Sequence, residues 1–413
     1  MPNPADLPLE LFLEVLHFAL PKYYTDPQRL CSLALLGRKW HAALLGRIYN
    51  EWTYNGARQS FMTLWKFVRT LRNNTSIAAI VTTLNIGNYG FYPRAVAGGP
   101  KVQLPANERW IHSAIHDAGL GNLEDTVLQS LSRRDRRPLM VILLTSVPNL
   151  SALYGHVPQY DPLMATFVKS TLDSEATGNS VRPLGKVKEL VLFFEIPVVV
   201  NKNDDADNEV HEESSDEDYR NITSDPKIDY VWPVFYLPCL RTLSLFDIDP
   251  TDAEMFLGQH DAISHVETLV IGCFHTVFTV QDIQAFLTRI ERLKSISLNL
   301  HTDCFESEIS NPELWDCLQK HKDSLEVIDI FRNGDTFGHK GGWFGLLREF
   351  KKLRHLYVQF DTILGGCCDS PMAPFRLRDT LPSTIQKLTL YQNDDHGFSI
   401  INLHSHLREL LGG

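Results

Sequence analysis

Large apolar residues recur along this chain in two rhythms. Over the first fifty positions the spacing is helical. In "DLPLELFLEVLHFALP", Leu7, Leu11, Val15 and Leu16 fall on one stripe, Pro8 takes the first turn, where a missing N–H costs nothing, and Pro21 ends the helix. Leu30, Leu33 and Leu36 share a face over about 28–36, and a third helix is predicted from about Arg38 to Trp52. Another amphipathic helix, from Ser60 to Thr70, carries Phe61, Leu64, Trp65, Phe67 and Val68.

The second rhythm is the hexamer apolar-x-x-apolar-x-apolar. It reads "VTTLNI" at 81–86, "VKELVL" at 187–192, "LRTLSL" at 240–245 and "VETLVI" at 266–271. It continues as "LKSISL" at 293–298, "LEVIDI" at 325–330, "LRHLYV" at 353–358 and "IQKLTL" at 385–390, with a weaker copy, "LSALYG", at Leu150. The last six copies begin 26, 27, 32, 28 and 32 residues apart, in or slightly above the leucine-rich-repeat range. Helical stretches separate them: "TDAEMFLGQH", "VQDIQAFLTRIER", "NPELWDCLQKHKD" and "WFGLLREFKK". A strand and a helix at near-constant period cannot bury an apolar face alone, so neighbours must stack, which predicts an α/β solenoid with a curved parallel sheet. A doubly wound α/β sheet also alternates strands and helices, but it does not require one strand motif to recur.

Composition adds an interruption and a location. The 413 residues exceed the roughly 250–300 that one compact core accommodates, which favours several domains or a repeat. The formal net charge of -11 argues against nucleic acid as the main partner. Ten acidic residues against two basic ones lie within 201–226, a polar stretch that reads as a disordered acidic insertion. Ser214 and Ser215 precede acidic residues there and offer phosphorylation sites, against the plainer reading of a solvated loop. Residues 87–107 form a second, Gly/Pro-rich loop. Seven scattered cysteines imply reduced thiols and an intracellular protein, cytoplasmic or nuclear. No signal peptide is expected, and no apolar run reaches the ~20 residues that span a bilayer.

The first fifty residues resemble an F-box. Leu7, Pro8, Glu10 and Leu11 match the family's opening, Val15 and Leu16 the apolar pair closing its first helix, and Leu33, Leu36, Arg38 and Trp40 its second half. Gly37 stands where the family commonly has Cys, and Leu36 where it commonly has Val. The remainder resembles the leucine-rich-repeat-type C-terminal region of many fungal F-box proteins. The organisation expected is an F-box at 1–54, a linking helix at 55–80 and a leucine-rich-repeat-like solenoid at 81–413. The resemblance implies that Leu7, Pro8, Leu11, Val15, Leu16, Leu33, Leu36 and Trp40 dock the Skp adaptor and, through it, a cullin. The chain would then be the substrate-recognition subunit of a Skp–cullin–F-box ubiquitin ligase, in the ubiquitin-like conjugation pathway. An exposed apolar start marks a partner site; capping the end of the solenoid is the alternative use for it. An F-box scaffold without ubiquitin transfer is a second reading of function, and a metal-dependent enzyme a third.

Motifs for chemistry are sparse, so no enzyme is expected. The sequence has no Gly-x-Ser-x-Gly, no Walker A and no His-Glu-x-x-His. His301, Cys304, Cys317 and His321 run His-x2-Cys-x12-Cys-x3-His, a donor set suited to tetrahedral zinc. Cys317, however, shares the apolar stripe of a helix with Leu314 and Leu318, where a thiol packs as a small apolar group. The expectation is therefore no metal and no cofactor. "SRRDRRP" at 132–138 reads as a solvated basic loop before it reads as an import signal.

Alternation within each hexamer assigns a second face. The apolar positions point to the core, and the residues between them point away. That places Phe246, Asn299, Asp329, Phe331, His355, Tyr357, Gln359 and Tyr391 on one surface, where aromatics would anchor a target protein.

Overall fold

The structure is a computed structural model. It describes residues 27–89, 109–158, 161–173, 183–194, 229–250, 253–259, 262–273, 278–301, 309–333, 343–364, 375–391 and 403–410, with Pro8, Leu11, Glu14 and Phe18 before them. The expected acidic insertion at 201–226 and residues 90–107 of the Gly/Pro-rich loop lie outside these residues. The chain divides into two compact units, Met1–Gly155 with Asp173–Val187, and His156–Leu172 with Lys188–Gly413. Both are α/β, with ten strands among the described residues and every recorded strand pairing parallel.

The first unit begins with helices Pro27–Ala34 and Arg38–Tyr49, which bury Leu30, Ala34 and Leu44 between them. The third helix was expected to reach Trp52. It ends at Tyr49, and Glu51–Asn55 instead forms strand β1 beside β2, Thr83–Gly87. Alternation explains the change: Tyr54 points inward and is fully buried, and the aromatic and β-branched residues of "EWTYN" suit a pleated surface. The Trp52 ring stacks on Phe67 at 3.8 Å between centroids. At the end of β1 the backbone of Gly56 donates to Gly87 O (2.8 Å), and a Cβ there would lie 1.9 Å from Asn88 O. Only glycine lets the two chains approach so closely.

Helix Phe61–Asn73 starts at Ser60, whose side chain accepts from the Thr63 amide, and buries Phe61, Leu64, Trp65, Phe67, Val68 and Leu71. Helix Arg137–Ser146 is apolar almost all round, and nearly all of its residues are buried. It packs on Phe61–Asn73, Arg109–Asp117 and Glu124–Ser132, which is the environment an all-apolar helix requires. Strand β3, Ala152–Val157, pairs with β2 through Ala152–Gly155.

The second unit contains β4 (Glu189–Phe194), β5 (Thr242–Phe246), β6 (Thr268–Cys273), β7 (Ser295–His301), β8 (Val327–Asn333), β9 (His355–Gln359) and β10 (Lys387–Tyr391), paired in that order without reversal. Each hexamer from β5 to β9 buries its three apolar residues, as in Leu293, Ile296 and Leu298 or Leu325, Ile328 and Ile330. Helices Ala253–Gln259, Val280–Arg289 and Asn311–Leu318 fall between the strands and pack in series, each on the next. The helix expected over 343–352 is reduced to a single 3-10 turn, Leu347–Glu349. Gly345 explains it: its φ of +118° lies outside the right-handed helical region, and its backbone abuts the Trp315 ring.

The ladder extends one residue before each strand. The Arg241 amide donates to Lys188 O, Glu267 to Arg241 O, Lys294 to Glu267 O, Glu326 to Lys294 O and Arg354 to Glu326 O, at 2.7–2.8 Å. Opposite charges meet at this edge: Lys294 Nζ lies 2.6 Å from Glu267 Oε2, and that hydrogen bond leads the forces holding the Glu267 carboxyl below its usual range.

Candidate functional site

Two surfaces carry the residues singled out from the sequence, one in each unit. In the first, the backbone turns between helices Pro27–Ala34 and Arg38–Tyr49. The Leu36 amide closes the turn by donating to Leu33 O (3.1 Å). Leu33 and Trp40 are half-buried and pack on Leu30, Ala34 and Leu44. Leu35 and Leu36, at the turn itself, are 86% and 64% exposed. Further upstream Leu11, at a helical position, and Pro8 are also exposed, whereas Leu7, Val15 and Leu16 lie outside the described residues. The pair of helices thus buries a small cluster and leaves leucines on its outside.

In the second unit the face opposite the apolar rows is built by register. Ser297 of β7 stands beside Asp329 of β8, and Asp329 beside Tyr357 of β9. Ser297 Oγ donates to Asp329 Oδ2 (3.1 Å), and Tyr391 OH, from β10, donates to Asp329 Oδ1 (2.9 Å). One carboxylate therefore receives a hydroxyl on each oxygen. Phe331 meets Tyr391 edge-on at 5.1 Å between centroids, and Lys387 Nζ lies 5.0 Å from the centroid of the Tyr357 ring. Burial, then the hydrogen bond to Asp329 and the charges of Asp329 and Tyr357, push the Tyr391 hydroxyl up to about 12. It therefore remains a donor at neutral pH.

No protein-family model matches the chain, and no curated protein matches it. Phe246, Asn299, Asp329, Phe331, His355, Tyr357 and Tyr391 are half-buried on the face expected for them. Gln359 departs from expectation. It is 4% exposed and its amide donates to Arg332 O (2.7 Å), so it fastens β9 to β8 and offers no surface contact. Its row explains the burial: Gln359 stands beside Tyr391, whose ring meets that of Phe331.

The same alternation places Ser297 and Lys387 on this face, and both touch the cluster as just described. Two contributors were not expected, Phe193 and Leu35, the latter the most exposed leucine at the helical turn. Phe193 stacks on Phe246 at 5.0 Å and is met by His156 at 5.6 Å. A signal for Phe193 existed: like Phe246, Phe331 and Tyr391, it is the residue directly after a hexamer.

The zinc-like spacing is not assembled among the described residues. Cys304 lies outside them, and no group of three metal-ligating side chains occurs among them. His321 is buried with Nε2 2.9 Å from Leu287 O, and Cys317 is half-buried with its thiol pushed up, chiefly by burial. Nor is any helix among the described residues long and apolar enough to cross a membrane.

Proposed function

We propose that the chain is a substrate receptor of a Skp–cullin–F-box ubiquitin ligase, with its N-terminal helices docking the Skp adaptor and its second unit holding a target protein. The observation that carries the reading is the exposed leucine pair, Leu35 and Leu36, beside a small cluster that includes Trp40. Two helices of this size bury too little apolar surface to be sturdy alone. A partner covering Leu11, Leu35 and Leu36 would supply the missing burial. The F-box resemblance of residues 7–40 supports the adaptor as that partner.

The second unit would be a leucine-rich-repeat-like solenoid. Its unreversed strand order and recurring hexamer support this over a doubly wound sheet, which reverses order at a switch point. In this reading the chain contributes no reacting group. It raises the local concentration of a target lysine near the ubiquitin-loaded enzyme, an effect of proximity.

The test is co-expression with the Skp adaptor and capture by affinity tag. The intact chain should retain the adaptor. A chain beginning at Asn50 should lose it while keeping β1, which starts at Glu51. A Leu35→Asp/Leu36→Asp double variant, altering only exposed side chains, should lose at least tenfold in capture with an unchanged melting temperature. Full capture by the double variant would overturn the docking surface, and no capture by the intact chain would overturn the receptor reading.

A further inference from the structure

The Asp329 cluster has the composition of a site for a cationic side chain. Asp329 is half-buried on the sheet face, and both of its hydrogen-bonding partners, Ser297 and Tyr391, are neutral hydroxyls. They orient the two oxygens without neutralising them, and each oxygen keeps a further lone pair. Among the described residues no basic group lies within ion-pair distance of Asp329.

Aromatic rings surround that charge. Tyr357 is its register neighbour, Phe331 lies two residues on along the same face of β8, and Tyr391 reaches it through its hydroxyl. Rings present a negative face to cations. The protein already uses one this way, because Lys387 Nζ sits 5.0 Å from the Tyr357 centroid. The attraction for a cation is local to Asp329 and the rings, because -8 of the formal charge of -11 lies within 201–226.

We infer that Asp329, with Phe331, Tyr357 and Tyr391, receives an arginine side chain of the target protein. The guanidinium suits the geometry better than a point charge would. It is planar, it stacks on rings, and its paired N–H donors match the two free lone-pair directions of a carboxylate. The raised ionisation of Tyr391 keeps its hydroxyl protonated, so no second negative charge or lost donor disturbs the arrangement near neutral pH. The inference rests on the proposal that this sheet face holds the target, and it names the chemistry the target must present.

The probe is the tripeptide Gly-Arg-Gly, compared with Gly-citrulline-Gly, whose urea group is the neutral isostere of the guanidinium. Binding to the full chain is followed by ligand-observed NMR, with adaptor capture measured on the same preparation. The expected result is that the arginine peptide binds at least tenfold more tightly than the citrulline peptide and weakens as salt is raised. Asp329→Asn should remove that preference, and Tyr357→Ala should reduce arginine binding severalfold, with melting temperatures confirming that both variants fold. Equal binding of the two peptides, an undiminished preference in Asp329→Asn, or no binding of the arginine peptide would overturn the inference. If the arginine peptide fails while the adaptor is captured, this site falls and the docking half of the receptor reading stands. If it binds while the adaptor is not captured, the reverse holds.

Discussion

Tyr391 is where the chemistry of the sheet face can be read most directly. Its hydroxyl has an ordinary value of 10.0 and is pushed up to about 12 in the fold, first by burial and then by Asp329. Between those values the folded chain keeps a proton that the unfolded chain has released. Stability from this group is therefore full below about pH 10 and is lost as pH rises through about 12. The tyrosinate absorbance of the wild type minus that of Tyr391→Phe should show a single late titration, and Asp329→Asn should move it earlier. A difference titration near the ordinary tyrosine value would mean that Tyr391 does not make this contact. The position of Tyr391 was legible, because it follows its hexamer as Phe246 and Phe331 follow theirs. The bond it makes was not. That bond joins β10 to β8 across β9, and depends on the offset of three strands whose intervening segments differ in length.

At the scale of elements, nine strands stand where the apolar hexamers predict them, and from β5 to β9 the inner positions of each hexamer are fully buried. Strand β1 escaped because it lacks the hexamer's apolar triple and follows a helix without a breaker. Over 343–352 the leucines and aromatics have helical spacing, but Gly345 at φ +118° allows only a single 3-10 turn. Helix starts are better marked. Thr279 accepts from the Asp282 amide while the Asp282 side chain accepts from the Thr279 amide, and Ser310 and Glu313 repeat the arrangement. The Glu313 carboxyl is held below its usual range, first by the Ser310 hydroxyl and then by the Ser310 amide. Thr279→Ala and Ser310→Ala should each lower stability by about 1 kcal/mol. The caps belong to successive helices with no shared hydrogen bond, so their effects on the urea midpoint should be close to additive. Strong non-additivity would mean that the two helix starts are energetically coupled.

For the whole molecule, the question is whether the second unit behaves as a stack of repeats or as one indivisible core. Its strands pair only with sequence neighbours from β4 to β10, and helices Ala253–Gln259, Val280–Arg289 and Asn311–Leu318 pack each on the next. In such an arrangement stability is close to a sum of terms between adjacent repeats. Ending the chain at Thr380 removes β10 and helix Leu403–Leu410. Strand β9 is then unpaired along one side and helix Leu377–Thr380 has no helix packed on its C-terminal side, whereas β5, β6, β7 and β8 keep a strand on both sides. Hydrogen exchange should therefore show β9 opening more readily, as a new edge, while amide protection in β5–β7 stays within about tenfold of the full chain, equivalent to about 1.4 kcal/mol. Collapse of protection throughout β5–β8 would mean that the strands form one cooperative core, and the solenoid reading would fail. The same truncated chain lacks Tyr391 but retains Ser297 and Asp329. If β8 keeps its protection, the carboxylate remains in place with one hydroxyl fewer, and the arginine probe then measures what the missing ring and donor contributed.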